Sequence, residues 1–330
     1  MTLINKSDQI FIAGHKGMVG SAIKRSLENR NYRNLLTPNR NELDLLDFNS
    51  VKTWFKRHKP SLVILAAAKV GGIHANNRYP ADFILENLKI QTNVIENAWM
   101  NNTKRFLFLG SSCIYPKFSK QPIKEEHLLT GALEITNEPY AIAKIAGIKL
   151  CSSLKKQYGF DAISLMPTNL YGPGDNYHEI NSHVMPALIK KVHDSKRLNI
   201  PKLICWGSGS PRREFLHVDD LADAAIFVME NVSSENKLLK DKNSDYLGIL
   251  NVGTGKDISI KELAEKICSE QNFNGSIEWD KEKPDGTQRK LLDISKLKEL
   301  GWKSKISLDE GIKSTIKSFI EESKNNSIRI

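Results

Sequence analysis

Residues 9–20 read QIFIAGHKGMVG. Gln9–Ala13 is a short apolar run with β-branched and aromatic residues, which predicts a buried strand. Gly14-His15-Lys16-Gly17-Met18-Val19-Gly20 follows it directly. From Met18 to Arg30, Val19, Ile23 and Leu27 recur on one helical face, which predicts a helix. Glycines spaced GxxGxxG between a strand and a helix permit a tight turn. They also let a pyrophosphate approach the helix N-terminus, where free N–H groups and the helix dipole favour an anion. All seven residues from Gly14 to Gly20 are therefore candidate dinucleotide contacts.

Outward from this unit, strands and helices alternate. Leu35–Leu36 predicts a second strand closed by Pro38, and Val51–His58 a helix with Ser50 at its N-cap. Leu62–Leu65, Arg105–Leu109 and Ala162–Met166 read as strands, Asp82–Met100 and Tyr140–Gln157 as long helices. The strands are apolar throughout, the pattern of a parallel sheet covered on both faces. The predicted class is α/β, a doubly wound parallel sheet of the Rossmann type with a smaller C-terminal substrate lobe.

After Tyr171-Gly172-Pro173-Gly174 the rhythm changes. A helix near Ser182–Asp194 precedes a loop-rich stretch through Arg213. A helix over Asp219–Glu230, a strand at Ile249–Val252, a helix at Ile260–Gln271, a strand at Ser276–Trp279 and a last helix near Leu308–Glu321 complete the pattern. Ser233–Asp245 is polar and lysine-rich, which predicts an exposed loop. The expected division is a cofactor domain over 1–175, with 215–253 crossing back to it, and a substrate-binding lobe of 176–214 and 254–330.

With 330 residues, 40% hydrophobic and 26% charged, the chain is neither disordered nor fibrous. Its start lacks the pattern of a signal peptide. The longest strongly apolar stretch, Leu62–Ala68, is far below the ~20 residues of a membrane helix. The expectation is a soluble, cytoplasmic protein without a membrane partner. The four cysteines, Cys113, Cys151, Cys205 and Cys268, form no CxxC and no zinc spacing, so reduced thiols and no metal are expected. The net charge of +10 is spread along the chain and interleaved with acids. That argues against nucleic acid, whose footprint is a clustered basic face, and suits an anionic nucleotide.

An NAD site has an acid after the second strand to bond the ribose 2′-hydroxyl. Here Thr37-Pro38-Asn39-Arg40-Asn41 holds none. Arg40, with Lys16, is suited to a 2′-phosphate, so NADP (as NADPH) is expected over NAD. Asp44 and Leu45 are expected beside the adenine. The small residues of Ala66-Ala67-Ala68-Lys69-Val70-Gly71-Gly72 would let a cofactor pass close to the backbone, with tight packing as the alternative.

Tyr140 and Lys144 are four apart on one helical face. A nearby ammonium favours the phenolate and makes tyrosine a usable acid/base. Ser111 follows the strand that ends at Leu109, at the carboxyl edge where such sheets bind ligands. A glycine loop, then a strand-end serine, then YxxxK resembles the short-chain dehydrogenase/reductase family, in its extended, nucleotide-sugar-modifying branch.

Longer blocks narrow the resemblance. FIAGHKGMVGS at 11–21, AAAKVGGIHANN at 66–77, LGSSCIYPK at 109–117 and NEPYAIAKIAGIKLC at 137–151 are similar to the GDP-L-fucose synthase family. MPTNLYGP at 166–173, NSHVMPAL at 181–188, WGSGSPRREFLHVDD at 206–220 and KPDGTQRKLLD at 283–293 continue it over nearly the whole chain. The resemblance implies NADPH-dependent conversion of GDP-4-keto-6-deoxy-D-mannose to GDP-L-fucose, by epimerisation at C3 and C5 and reduction at C4.

It further implies Tyr140 as proton donor in the reduction, Ser111 as its partner, Lys144 as its support, and Cys113 and His183 as the epimerisation acid/base pair. Leu109, Gly110, Ser111, Ser112, Lys144, Pro167, Thr168, Asn169, Leu170 and His183 are expected at the cofactor. Lys191, Trp206, Arg213 and Asp285 are expected at the substrate, with Arg289 a further candidate. Lys16 and Lys191 stand where the family often has arginine, keeping charge but losing the bidentate fork. Another nucleotide-sugar epimerase, a 4,6-dehydratase, or a non-catalytic dinucleotide-binding regulator are the competing functions. A dehydratase needs a carboxyl near the serine, where Ser112-Cys113 stands. By similarity the two long helices are expected to build a homodimer.

Overall fold

The computed structural model describes residues 2–283 and 285–330. In the N-terminal half, strands β1 (Ile10–Ala13), β2 (Leu35–Leu36), β3 (Leu62–Leu65), β4 (Arg105–Leu109), β5 (Ala162–Pro167) and β6 (Asn169–Tyr171) are separated by helices. These are α1 (Met18–Asn29), α2 (Phe48–His58), α3 (Ile73–Arg78), α4 (Pro80–Met100) and α5 (Glu138–Tyr158). Then come α6 (Val184–Arg197), β7 (Lys202–Trp206), β8 (Arg212–His217), α7 (Val218–Asn231), β9 (Ile249–Val252), β10 (Asp257–Ser259) and α8 (Ile260–Glu270). The chain ends with β11 (Ser276–Asp280), β12 (Arg289–Lys290), α9 (Ser295–Glu299) and α10 (Leu308–Lys324).

Six strands form one parallel sheet in the order β2-β1-β3-β4-β5-β9. Alternate residues point to opposite faces, and both faces are covered. Ile10, Ile12, Ile64, Leu107 and Leu165 pack with Ile23 and Leu27 of α1 and Leu221 and Val228 of α7. Phe11, Val63, Leu65, Phe106 and Phe108 pack with Val51 and Phe55 of α2, Val94 and Ile95 of α4, and Ile145 and Ile148 of α5. Burial on both faces is why the strands read as unbroken apolar runs. The doubly wound α/β class expected from the sequence is what the chain adopts.

A third apolar cluster, including Tyr171, Met185, Ile189, Phe215, Leu263, Ile316 and Phe319, fills the C-terminal part. There β8 lies between β10 and β12 and also pairs with β6, while β7 pairs with β11. Ser111 and Cys113 follow the C-terminal end of β4, and Cys113 meets Lys290 of β12.

Three local expectations need correction. The α2 helix starts at Phe48, capped by Asp47, whose carboxylate accepts the Ser50 N–H. Aspartate is a good cap and Ser50 falls inside the first turn. The loop-rich stretch before Arg213 contains β7, whose residues alternate between exposed and buried, so its short half-buried pattern was masked by the surrounding glycines and prolines. Ser233–Asp245 is not wholly exposed, because Leu239 is fully buried and its carbonyl accepts the N–H groups of Leu247 and Gly248.

Candidate active site

The glycine loop is shaped by contacts that exclude a side chain. Gly14 has φ +88°, and a Cβ there would meet the Ala67 backbone at 2.7 Å. A Cβ on Gly20 would lie 2.1 Å from the Gly14 carbonyl oxygen. Gly17 occupies the N-cap of α1 without a side-chain cap, so no side chain takes up the first-turn N–H groups. Met18 and Val19 open that turn. His15, half-buried, is held below its ordinary pKa by burial and by Lys16. Lys16 and Arg40 are exposed, and among the described residues neither forms an ion pair. Asp44 accepts the Leu46 N–H at 3.0 Å, and Leu45 packs into the core beside it.

In the Ala66–Gly72 loop, the small residues serve chain-to-chain approach. Ala67 meets Gly14, the Gly72 N–H donates to the Asn181 carbonyl at 2.8 Å, and a Cβ on Gly72 would lie 2.5 Å from the Ser182 oxygen. These contacts tether the loop to the segment that leads into His183.

Ser111 leaves the end of β4 and caps a short turn, its hydroxyl accepting the Cys113 N–H at 3.2 Å. Tyr140 and Lys144 come from the first turns of α5, against the ring of Phe83 and that of Phe108. Burial and the nearby Cys113 push the Tyr140 phenol well above its ordinary pKa, and the Ser111 hydroxyl draws it part of the way back. Lys144 Nζ lies 5.9 Å from the centroid of the Tyr140 ring, near it as expected but without a hydrogen bond to the phenol. The buried Lys144 Nζ donates to the Leu109 carbonyl at 2.9 Å, a strand-end acceptor within its reach. Burial lowers its pKa to about 7. Tyr140 is thus a neutral phenol, the form a proton donor requires.

The Cys113 sulfur accepts from Lys290 Nζ and from Asn137 Nδ2, each at 3.5 Å. Arg213 faces the same thiol; burial lowers its pKa, while Cys113, Asp285 and Glu134 pull it upward. His183 sits at the N-cap of α6 without capping it. The residue is exposed, and desolvation by the surrounding protein lowers its pKa.

Other expected residues are held by the protein itself. Thr168 Oγ1 and Asn169 Nδ2 donate to the Glu214 carbonyl, Pro167 is buried in β5, and Leu170 packs against the core. Gly110 lies against Met166, and Leu109 and Ser112 are buried on either side of Ser111. Lys191 Nζ donates to the Ile204 carbonyl at 2.7 Å, securing β7. Trp206 ends that strand 57% exposed, with Lys283 Nζ 5.8 Å from its ring centroid. The Asp285 carboxylate accepts from Ser208 N–H and Oγ at 2.9 and 2.6 Å. Arg289, a substrate candidate by sequence, instead joins Arg212 on the Asp257 carboxylate.

Three residues at the site escaped the sequence reading. Lys290 and Asn137 lie inside quoted blocks, but only the fold brings them to Cys113. Glu214, fully buried beside Arg213, accepts the N–H groups of Thr254, Gly255 and Leu292 and so fixes β8 to the strand that carries Lys290. Among the described residues no group of three or more His, Cys, Asp or Glu side chains gathers as a metal site.

A family profile described as the NAD dependent epimerase/dehydratase family matches residues 10–248. GDP-L-fucose synthase of Escherichia coli (strain K12) is 54% identical over 313 residues, covering 95% of this chain and 97% of that protein. GDP-L-fucose synthase 1 of Arabidopsis thaliana is 54% identical over 314 residues, covering 95% and 94%. The solved structure of a GDP-L-fucose synthetase from Naegleria fowleri bound to NADP superposes with TM-score 0.87 at 25% identity, covering 99% of this chain and 98% of that one. The chain belongs to the NAD dependent epimerase/dehydratase family, in which it is a relative of the GDP-L-fucose synthases.

Proposed function

We propose that this protein is an NADPH-dependent epimerase and reductase that converts GDP-4-keto-6-deoxy-D-mannose to GDP-L-fucose. The observation that carries the proposal is the convergence of Ser111, Tyr140 and Cys113 beyond the end of β4, with a thiol where a dehydratase needs a carboxyl. High identity to the GDP-L-fucose synthases supports the same substrate.

The loop fits a dinucleotide. Gly14 and Gly20 let the loop fold tightly against Ala67 and against itself, and the α1 N-terminus it leads into suits a pyrophosphate. Lys16 and Arg40 are available for a 2′-phosphate. When bound, NADPH supplies the hydride for C4. Lys144, anchored on the Leu109 carbonyl, would hold the nicotinamide ribose.

C3 and C5 are both α to the C4 ketone. The Cys113 thiolate takes the proton from one of these carbons, and the C–H electron pair moves into an enolate whose oxygen accepts hydrogen bonds from Ser111 and Tyr140. His183 returns a proton to the opposite face as the enolate pair re-forms the C–H bond. The two groups carry one proton between them. With Cys113 as thiolate that proton sits on His183 as the imidazolium, and exchange with solvent resets the pair before the second carbon reacts; burial disfavours the imidazolium, so the thiolate depends on the donors around the sulfur. In the reduction Tyr140 gives its phenolic proton to O4. Trp206 offers a face for the guanine, and Arg213 a cation for the diphosphate.

We read residues 1–175 with 215–253 as the cofactor domain, and 176–214 with 254–330 as the substrate lobe. The protein works as a homodimer in the cytoplasm, joined through the outer faces of α4 and α5, where Leu85 and Ile142 are exposed. Light scattering then gives twice 37.2 kDa; a single-chain mass contradicts the dimer. The activity itself is tested by NADPH absorbance. It falls with GDP-4-keto-6-deoxymannose and not with UDP-galactose. No fall with the first sugar contradicts the proposal.

A further inference from the structure

Two side chains donate to the Cys113 sulfur, and a further cation lies near it on a third element. Lys290 comes from β12, Asn137 from the start of α5, and Arg213 from β8. Tyr140, also on α5, and Ser111 complete the charged or polar groups that face the sulfur.

Each donor has forgone an ordinary partner. Among the described residues, Cys113 Sγ is the one hydrogen-bond partner of Lys290 Nζ, which forms no ion pair. Asn137 stands at the N-cap of α5, where an asparagine normally accepts a first-turn N–H. Its side chain makes no cap bond, its Oδ1 is buried without a partner, and its Nδ2 is turned to the sulfur. Lys290 and Arg213 are register partners on neighbouring parallel strands. Like charges on adjacent strands repel, an arrangement that calls for an anion between them.

We infer that Lys290 and Asn137 are positioning residues that hold the Cys113 sulfur as a thiolate, aimed by two hydrogen bonds, before any substrate arrives. Thiolate is the reactive form of cysteine, and neighbouring cations stabilise it. Lys290 belongs to the C-terminal body and Cys113 to the end of β4. Lys290 therefore reaches the sulfur only when β12 is docked against β8, which Glu214 secures.

The functional relevance rests on the proposal that Cys113 is the epimerisation base, but the test does not need substrate. Iodoacetamide labels Cys113, which is partly exposed, while Cys151, Cys205 and Cys268 are buried and report on the fold. The pH dependence of labelling is followed by mass spectrometry in the free enzyme. Lys290→Met slows Cys113 labelling at pH 7 by about tenfold and moves the midpoint of its pH profile upward, and Lys290→Arg restores part of the rate. Asn137→Ala, which removes the neutral donor, slows it less and provides the test if the lysine variant exposes the buried cysteines. Wild-type labelling rates and midpoints in folded Lys290→Met overturn the inference. So does a variant that labels normally but loses deuterium exchange into the sugar, because Lys290 then serves substrate binding. A shifted midpoint in a protein whose wild type exchanges no deuterium supports the cradle and instead contradicts the proposed function.

Discussion

Lys144 Nζ lies 2.9 Å from the carbonyl oxygen of Leu109 and makes no hydrogen bond to Tyr140, one helical turn before it. The pair therefore divides its tasks. Lys144 bridges the end of β4 to α5. Tyr140 is held toward its protonated form, because burial and the nearby Cys113 raise its pKa.

Tyr140→Phe removes the O4 proton donor and one of two hydrogen bonds to the enolate. Ketone reduction falls by at least about 100-fold, the scale of positioned acid catalysis. Deuterium exchange at C3 and C5 slows less. Steady-state NADPH oxidation and exchange in deuterated water measure the two separately. Equal losses in both contradict the assignment of Tyr140 to the reduction.

Arg40→Ala weakens NADPH binding by about 1.5–3 kcal/mol, the range for a hydrogen bond to a charged group. NADH, without the 2′-phosphate, loses almost nothing. Titration calorimetry with both cofactors checks this. Equal losses mean that Arg40 supports the loop and does not read the phosphate.

Glu125 is buried beneath Asn251, whose N–H it accepts, and burial raises its pKa to about 7. Between its ordinary value near 4.5 and about 7, the folded chain holds a proton that the unfolded chain has released. Stability therefore falls as pH rises through that window, and the full cost is present above it. Glu125→Gln keeps the acceptor and removes the charge. It is more stable than the wild type at pH 8, by on the order of 3 kcal/mol, and equally stable near pH 4.5. Urea unfolding at several pH values measures it. An unchanged pH slope shows that the carboxyl is not the source.

The main sheet was legible because its signals are local. Strands buried on both faces are apolar runs, and the Gly14–Gly20 spacing marks one turn between one strand and one helix. Tyr140 and Lys144 are likewise neighbours on one helix. What escaped reading depends on distant pairing. Lys290 lies 177 residues from Cys113 and meets it because β12 pairs with β8. β7 is half-buried, and its edge is completed by β11, far along the chain. Asp47 displaced Ser50 as a cap because both residue types cap well and only the geometry chooses between them. Helical spacing put Lys144 beside Tyr140, but it could not show that the Leu109 carbonyl, from another element, accepts from its Nζ.

The central claim is that Cys113 removes the protons at C3 and C5. The direct measurement is deuterium incorporation into GDP-4-keto-6-deoxymannose by Cys113→Ser in deuterated water with oxidised cofactor. An alcohol is a far poorer base than a thiol at neutral pH. The account predicts that exchange at both carbons is suppressed. Exchange at both positions at the wild-type rate would contradict it and make Cys113 a structural thiol, leaving His183 as the first candidate for the base.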